Sequence, residues 1–202
     1  MTRLLLIRHA QAAPAGDLRL PGPDLPLLPV GVWQAGRLAA RIEAFGPLAV
    51  YTSDAVRARQ TGEIIAAARG IPARTTPALR EIDLGEWGGQ TYEEITAADP
   101  AAAAWFAHPE AMAPPGGEHA QDAANRVLGQ LQMLSDGHGD CVAVVAHAGS
   151  LRLAVAHALG MPLASYWRLR LDCAALSVLD WTADGPLLER WNDTNHLEGI
   201  AP

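Results

Sequence analysis

Two uninterrupted apolar runs, Leu4-Leu5-Leu6-Ile7 and Val142-Ala143-Val144-Val145-Ala146, constrain this chain more than any other feature. They are too short for a buried helix and show no polar alternation. They therefore read as strands covered on both faces, the pattern of a parallel sheet with helices above and below. Helical spacing predicts segments 31–45 and 118–134, and Ser53 is placed as the N-cap of another helix that reaches Arg69 and stops at Gly70 and Pro72. Further helices are expected over 91–107, broken at Pro100, and over 150–159. Strands are expected at 48–52, 174–181 and 187–191, the last two joined by a turn at 183–186. Strands alternating with helices predict an α/β fold: a three-layer α/β/α sandwich with a mostly parallel central sheet, one domain over 1–202. The Pro/Gly-rich stretches 14–29 and 99–119 are the expected insertions over a site, the second as a lid.

Composition removes several functions. The net charge is −7, which disfavours a nucleic-acid partner. All fifteen basic residues are arginine, so neither a P-loop lysine nor a Schiff-base lysine is available. Cys141 and Cys173 form no CxxC pair and read as buried thiols of a reducing compartment. The run at 4–7 is too short for a signal peptide, and no segment reaches the ~18 apolar residues of a spanning helix, so a cytoplasmic chain with no membrane partner is expected. His108, His119, His138, His157 and His196 show no ligand spacing, and no metal or cofactor is expected. The six tryptophans are expected mostly in the core.

Both apolar runs end in a histidine followed by small residues, Arg8-His9-Ala10 and His147-Ala148-Gly149. Ligands of open α/β sheets bind beyond the carboxyl ends of the strands, so neighbouring strands would aim His9 and His147 into one crevice. The small residues behind each ring would let backbone N–H groups approach an anion. In Ser53-Asp54-Ala55-Val56-Arg57-Ala58-Arg59-Gln60-Thr61, Arg57 lies one turn into a helix near a strand edge, while Arg59 points about 200° away. The segment 79–89 carries three acids, Glu81, Asp83 and Glu86; any of them could donate a proton, and spacing does not choose among them.

Taken in order, these segments resemble the histidine phosphatase superfamily, the phosphoglycerate-mutase-like proteins. Arg8-His9-Ala10 is similar to the family's Arg-His-Gly. Residues 53–61 match Ser-x-x-x-Arg-Ala-x-Gln-Thr, and 79–89 resemble Leu-x-Glu-x-x-x-Gly-x-Trp-x-Gly, which selects Glu81. Residues 142–149 resemble the second histidine strand, and Pro115-Gly116-Gly117-Glu118 resembles the entry of a lid helix. The stretch 87–94 looks most like the α-ribazole-phosphate and broad-specificity phosphatases of the superfamily. Three departures lie around the expected substrate: Ala10 for glycine, Gln11 and Ala15 where an acid and an asparagine are common, and His119 where serine is frequent.

The resemblance implies that His9 carries the phosphoryl group, with its other ring nitrogen held by a hydrogen bond. Arg8 and Arg57 would grip the oxygens as planar forks. His147 would be a further donor, best if a phosphate dianion keeps it protonated, and Glu81 would be the acid and base. Ala148, Gln11 and His119 are expected to line the substrate. The expected activity is metal-independent hydrolysis of a small phosphorylated metabolite. A cofactor-dependent phosphoglycerate mutase is the second reading, and a non-catalytic phosphate-binding module the third. Oligomeric state is left open.

Overall fold

The computed structural model describes residues 1–13, 19–20 and 24–199. Part of the expected loop 14–29, including Ala15, lies outside the described residues. Six strands form one sheet in the order β3-β2-β4-β1-β5-β6. They are β1 (Thr2–Arg8), β2 (Ala49–Thr52), β3 (Ala73–Thr75), β4 (Cys141–Ala146), β5 (Leu176–Thr182) and β6 (Gly185–Asp193). β1, β2, β3 and β4 run parallel, while β5 and β6 add an antiparallel edge. The helices are α1 (Pro29–Ile42), α2 (Val56–Arg69), α3 (Tyr92–Ala98), α4 (Ala101–Ala107), α5 (Ala120–Gly137) and α6 (Ala148–Ala158).

The period-2 alternation of side chains divides each apolar run between two cores. Leu5, Ile7, Ala143 and Val145 face α1 and α2, packing with Leu38, Ile42 and Ile65. Leu4, Leu6, Val142 and Val144 face α5 and α6, packing with Val127, Leu131, Leu151 and Val155. The mostly parallel three-layer sandwich expected from the sequence is the fold observed. A third cluster, including Ile82, Trp87, Ile95, Trp105 and Tyr166, joins α3 and α4 to α5, α6 and the 3₁₀ turn Leu163–Arg168.

Several local expectations are corrected. β3 was not expected; it is a three-residue edge strand, two of its residues exposed, with no apolar run to announce it. Ser53 does not cap α2, whose N-cap is Ala55. The Ser53 amide instead donates to Val145 O at 2.9 Å, continuing the β2 ladder. The open amide of Val56 is met from outside by the Asp24 carboxylate at 2.8 Å. Of the six tryptophans only Trp87 and Trp105 are buried. Cys141 is buried, whereas Cys173 is half-buried at the edge of a cavity.

Candidate active site

Strand register assembles the site. Arg8 pairs with Ala146 across β1 and β4, and Thr52 pairs with Val145 across β2 and β4. The three chains therefore leave the sheet at one level and deliver His9, His147 and Ser53 side by side. The His9 and His147 rings lie edge to face, with centroids 5.1 Å apart. Ser53, which sequence reasoning placed as a cap, has its Oγ 2.9 Å from His147 Nε2. The small Ala146-His147-Ala148 step and the motif match at 53–61 were the available signals, but neither revealed this contact.

His9 Nδ1 lies 2.8 Å from Ala10 O, so Nδ1 carries the proton and Nε2 holds the lone pair. Arg57 Nε donates to that lone pair at 3.2 Å. Arg57 also reaches Asp24 at 3.4 Å, a pair whose carboxylate is 46% exposed. Such a contact contributes roughly 0–1 kcal/mol and yields readily to a dianion. Arg59 is half-buried and pairs with Glu63. Arg8 donates through Nη1 to Leu171 O at 2.7 Å. Arg8 Nε and His147 Nδ1 are buried with no hydrogen-bond partner among the described residues. A buried guanidinium N–H left unsatisfied costs about 1–3 kcal/mol, a cost that an anion seated against His9 would offset.

Several backbone N–H groups behind the two imidazoles are already taken. The Ala10 amide donates to Thr61 Oγ1 at 3.0 Å. At the start of α6, the Gly149 and Ser150 amides donate to Glu81 at 3.0 and 2.6 Å. The helix N-terminus thus holds an internal carboxylate rather than the expected external anion. A Cβ on residue 149 would fall 2.7 Å from Glu81 Oε1, so glycine there lets the carboxylate dock.

The loop bearing Glu81 is clamped from α5. Arg126 donates to the carbonyls of Ala78 and Arg80 at 2.9 and 3.1 Å, and its fork is held by Glu118 at 2.8 and 2.7 Å. Gly85, at φ +52°, passes so close to Pro115 O that a Cβ would lie 2.1 Å from it. The Pro115-Gly116-Gly117-Glu118 segment is therefore a fastening for the acid loop.

A cavity of about 940 Å³ opens over these groups, lined by Arg8, His9, Gln11, Arg57, Glu81 and Ala148 among others. A second, of about 580 Å³, shares Arg57 and Glu81 and adds His147 and Asp83. Three acids were open from spacing. Glu81 faces both cavities, Asp83 is exposed with Oδ1 taken by the Gly85 amide at 2.8 Å, and Glu86 is exposed and lines neither. Gln11 lines the main cavity and donates to Ala13 O at 3.0 Å. His119, expected at the substrate, lines neither cavity; it caps α5, its Nδ1 accepting from the Gln121 amide at 3.2 Å. A cap must face its own helix amides, which turns that ring from the cleft. Among the described residues no three His, Cys, Asp or Glu side chains converge as metal ligands, and no helix is long and apolar enough to cross a membrane.

Burial first, then the neighbouring His147, Arg8 and Arg57 charges, hold His9 well below 6.5. Burial first, then Arg57 and Arg8, do the same for His147, so without an anion it is neutral. Both groups resist a proton in the folded state that they accept in the unfolded chain. Stability should therefore be full above pH 6.5 and fall as pH drops through that value. Denaturant midpoints measured across pH 8 to about 5 should decline, with a shallower slope in His147→Asn. Midpoints that rise on acidification would contradict the assignment.

The profile of the histidine phosphatase superfamily (branch 1) matches residues 4–194. The chain belongs to this superfamily. Among curated relatives it is 33% identical over 200 residues to the bifunctional protein Rv2228c of Mycobacterium tuberculosis, covering 97% of this chain and 55% of that one. The chain thus spans about half the length of the first curated relatives it matches. It is 30% identical to a protein named probable phosphoglycerate mutase GpmB of Cronobacter sakazakii, covering 100% of this chain and 97% of that protein. Among solved structures, YhfR of Bacillus stearothermophilus superposes with a TM-score of 0.90 at 33% identity, covering 98% of this chain and 100% of that one. The mycobacterial glucosyl-3-phosphoglycerate phosphatase Rv2419c, complexed with VO3, superposes with a TM-score of 0.85 at 29% identity, covering 95% and 99%.

Proposed function

We propose that this protein hydrolyses small phosphate monoesters through a phosphoryl group carried on His9. The observation that carries the reading is a neutral His9 imidazole with a fixed tautomer beside the buried Arg8 Nε–H, which has no acceptor among the described residues. His9 Nε2 attacks phosphorus, the ester P–O bond breaks, and Glu81 gives its proton to the leaving oxygen. Water then attacks the phosphohistidine, returns a proton to Glu81, and the N–P bond breaks to release inorganic phosphate. Arg8 and Arg57 stabilise the equatorial oxygens as charge redistributes. The Ser53 hydroxyl donates to His147 Nε2, leaving Nδ1–H as the donor toward phosphate, so His147 serves without an added proton.

The likeness to GpmB supports mutase activity as a second reading. A mutase must keep water from the phosphohistidine while the intermediate reorients. Here two cavities share Arg57 and Glu81 in their linings, which leaves the reacting groups open to water and favours hydrolysis. Phosphate release from a monoester panel in excess chelator, run beside a mutase assay with 3-phosphoglycerate and a bisphosphoglycerate primer, separates the readings. Phosphate release is expected to persist in chelator and to exceed mutase turnover. Mutase turnover above the best phosphate release would reverse the order, and chelator-sensitive turnover restored by a divalent ion would overturn the metal-independent scheme.

A further inference from the structure

Acids outnumber bases in this chain by 22 to 15, yet two guanidiniums on the main cavity, Arg8 beside His9 and Arg152, have no carboxylate partner among the described residues. Arg152 lies on α6 five residues after His147, about 7.5 Å of helix rise from the phosphoryl site. Its Nε donates to Ala148 O at 2.9 Å. Its fork lies against the Tyr166 and Trp167 rings, 5.2 and 5.0 Å from their centroids. These contacts fix the guanidinium plane while leaving its two terminal nitrogens with no acceptor among the described residues. Glu81 is close enough for its charge to be felt at Arg152, but the carboxylate oxygens are taken up by the amides of Ile82, Gly149 and Ser150. Trp105 lines the same cavity, and its Nε1–H is buried without an acceptor among the described residues. A half-buried cation and an orphaned indole donor on residues that line one cavity are unexplained by packing: aromatic contacts orient Arg152 but satisfy neither terminal nitrogen.

We propose that Arg152 and Trp105 form a subsite for a second anionic group on the leaving-group side of the substrate, a carboxylate or a second phosphate. The proposal rests on the phosphatase reading and narrows it to short phosphorylated acids or small bisphosphates. The planar fork matches either oxyanion. Arg152 lines the same cavity as Arg8, His9 and Arg57, so one small substrate reaches both anion positions. Burial weakens the hold of Arg152 on its proton, but a guanidinium remains charged across the physiological range, so the subsite is cationic whenever the substrate is anionic.

Matched substrates test this without any variant: 3-phosphoglycerate against glycerol 3-phosphate, phosphoserine against phosphoethanolamine, and a hexose bisphosphate against the monophosphate. The wild-type kcat/KM is expected to favour the anion-bearing member of at least one pair by about tenfold or more. An advantage confined to the first two pairs assigns the subsite to carboxylate; one confined to the third assigns it to phosphate. In Arg152→Gln the ratio should fall by roughly 10- to 100-fold, and Arg152→Lys should restore part of it. Trp105→Phe, which removes the N–H and keeps an aromatic ring, should lower the ratio a few-fold even if the Gln variant fails to fold. Flat wild-type ratios, or ratios unmoved by the Gln and Phe variants, overturn the subsite while phosphate release continues. Absence of phosphate release from every ester, with no phosphate on His9, overturns the phosphatase reading itself.

Discussion

His9→Ala is expected to lower phosphate release by about ten-thousand-fold or more, with the fold retained. In the proposed mechanism His9 carries the phosphoryl group, and removal of a covalent catalyst leaves just the binding electrostatics. The cost to folding should be small. The His9 ring sits beyond the end of β1 and its bonds are to Ala10 O and Arg57, neither of which belongs to the sheet ladder. His9→Asn, which keeps a polar side chain, serves as the packing control. Rapid quenching of the wild type with substrate should trap acid-labile, base-stable phosphate on His9, and both variants should lack it. Retention of near wild-type turnover by either variant, with intact circular dichroism, would show that the phosphoryl group travels another way.

Glu81→Gln should divide substrates by leaving group. General acid catalysis contributes typically 10²- to 10⁴-fold, so alkyl phosphates, which leave as strongly basic alkoxides, should lose about that much. 4-Nitrophenyl phosphate needs little protonation and should lose less than about tenfold. The substitution also perturbs the dock on α6. Oε1 accepts from Ile82 and Ser150, so the new amide nitrogen falls opposite the Gly149 N–H, donor facing donor. A displaced side chain would slow all substrates equally, so the slope against leaving-group pKa carries the result. Asp83→Asn and Glu86→Gln should stay within a few-fold of wild type. A larger selective loss in either would transfer the proton donor to that acid.

Much of the fold was legible because the two apolar runs admit one economical solution. A strand with no polar face must be covered on both sides, and in a chain of alternating strands and helices this means a layered, mostly parallel sheet. Legibility ended where the signal was short or polar. β3 has three residues and no apolar run. The tryptophans were legible in part: Trp87 and Trp105 are buried and Trp181 and Trp191 pack against the core, while Trp167 is 39% exposed beside the cavity. His119 misled because motif position says nothing of which way a capping ring turns.

The site divides along the same line. The sequence by itself determined that two histidines stand at strand ends, that Arg57 opens the helix after β2, and that every cation is an arginine, since these follow from local order and residue type. Only the tertiary structure decided that Ser53 lies against His147, that Asp24 meets the first α2 amide, that the α6 amides hold Glu81, and that Arg152 has no carboxylate partner among the described residues. These contacts join residues 94, 32 and 68 positions apart for the Ser53, Asp24 and Glu81 bonds respectively. Side-chain periodicity within a strand or helix encodes which face is buried, but it carries no record of which distant polar group will arrive there. That is settled when sheet register sets β1, β2 and β4 level and buried donors must find acceptors in the space that remains.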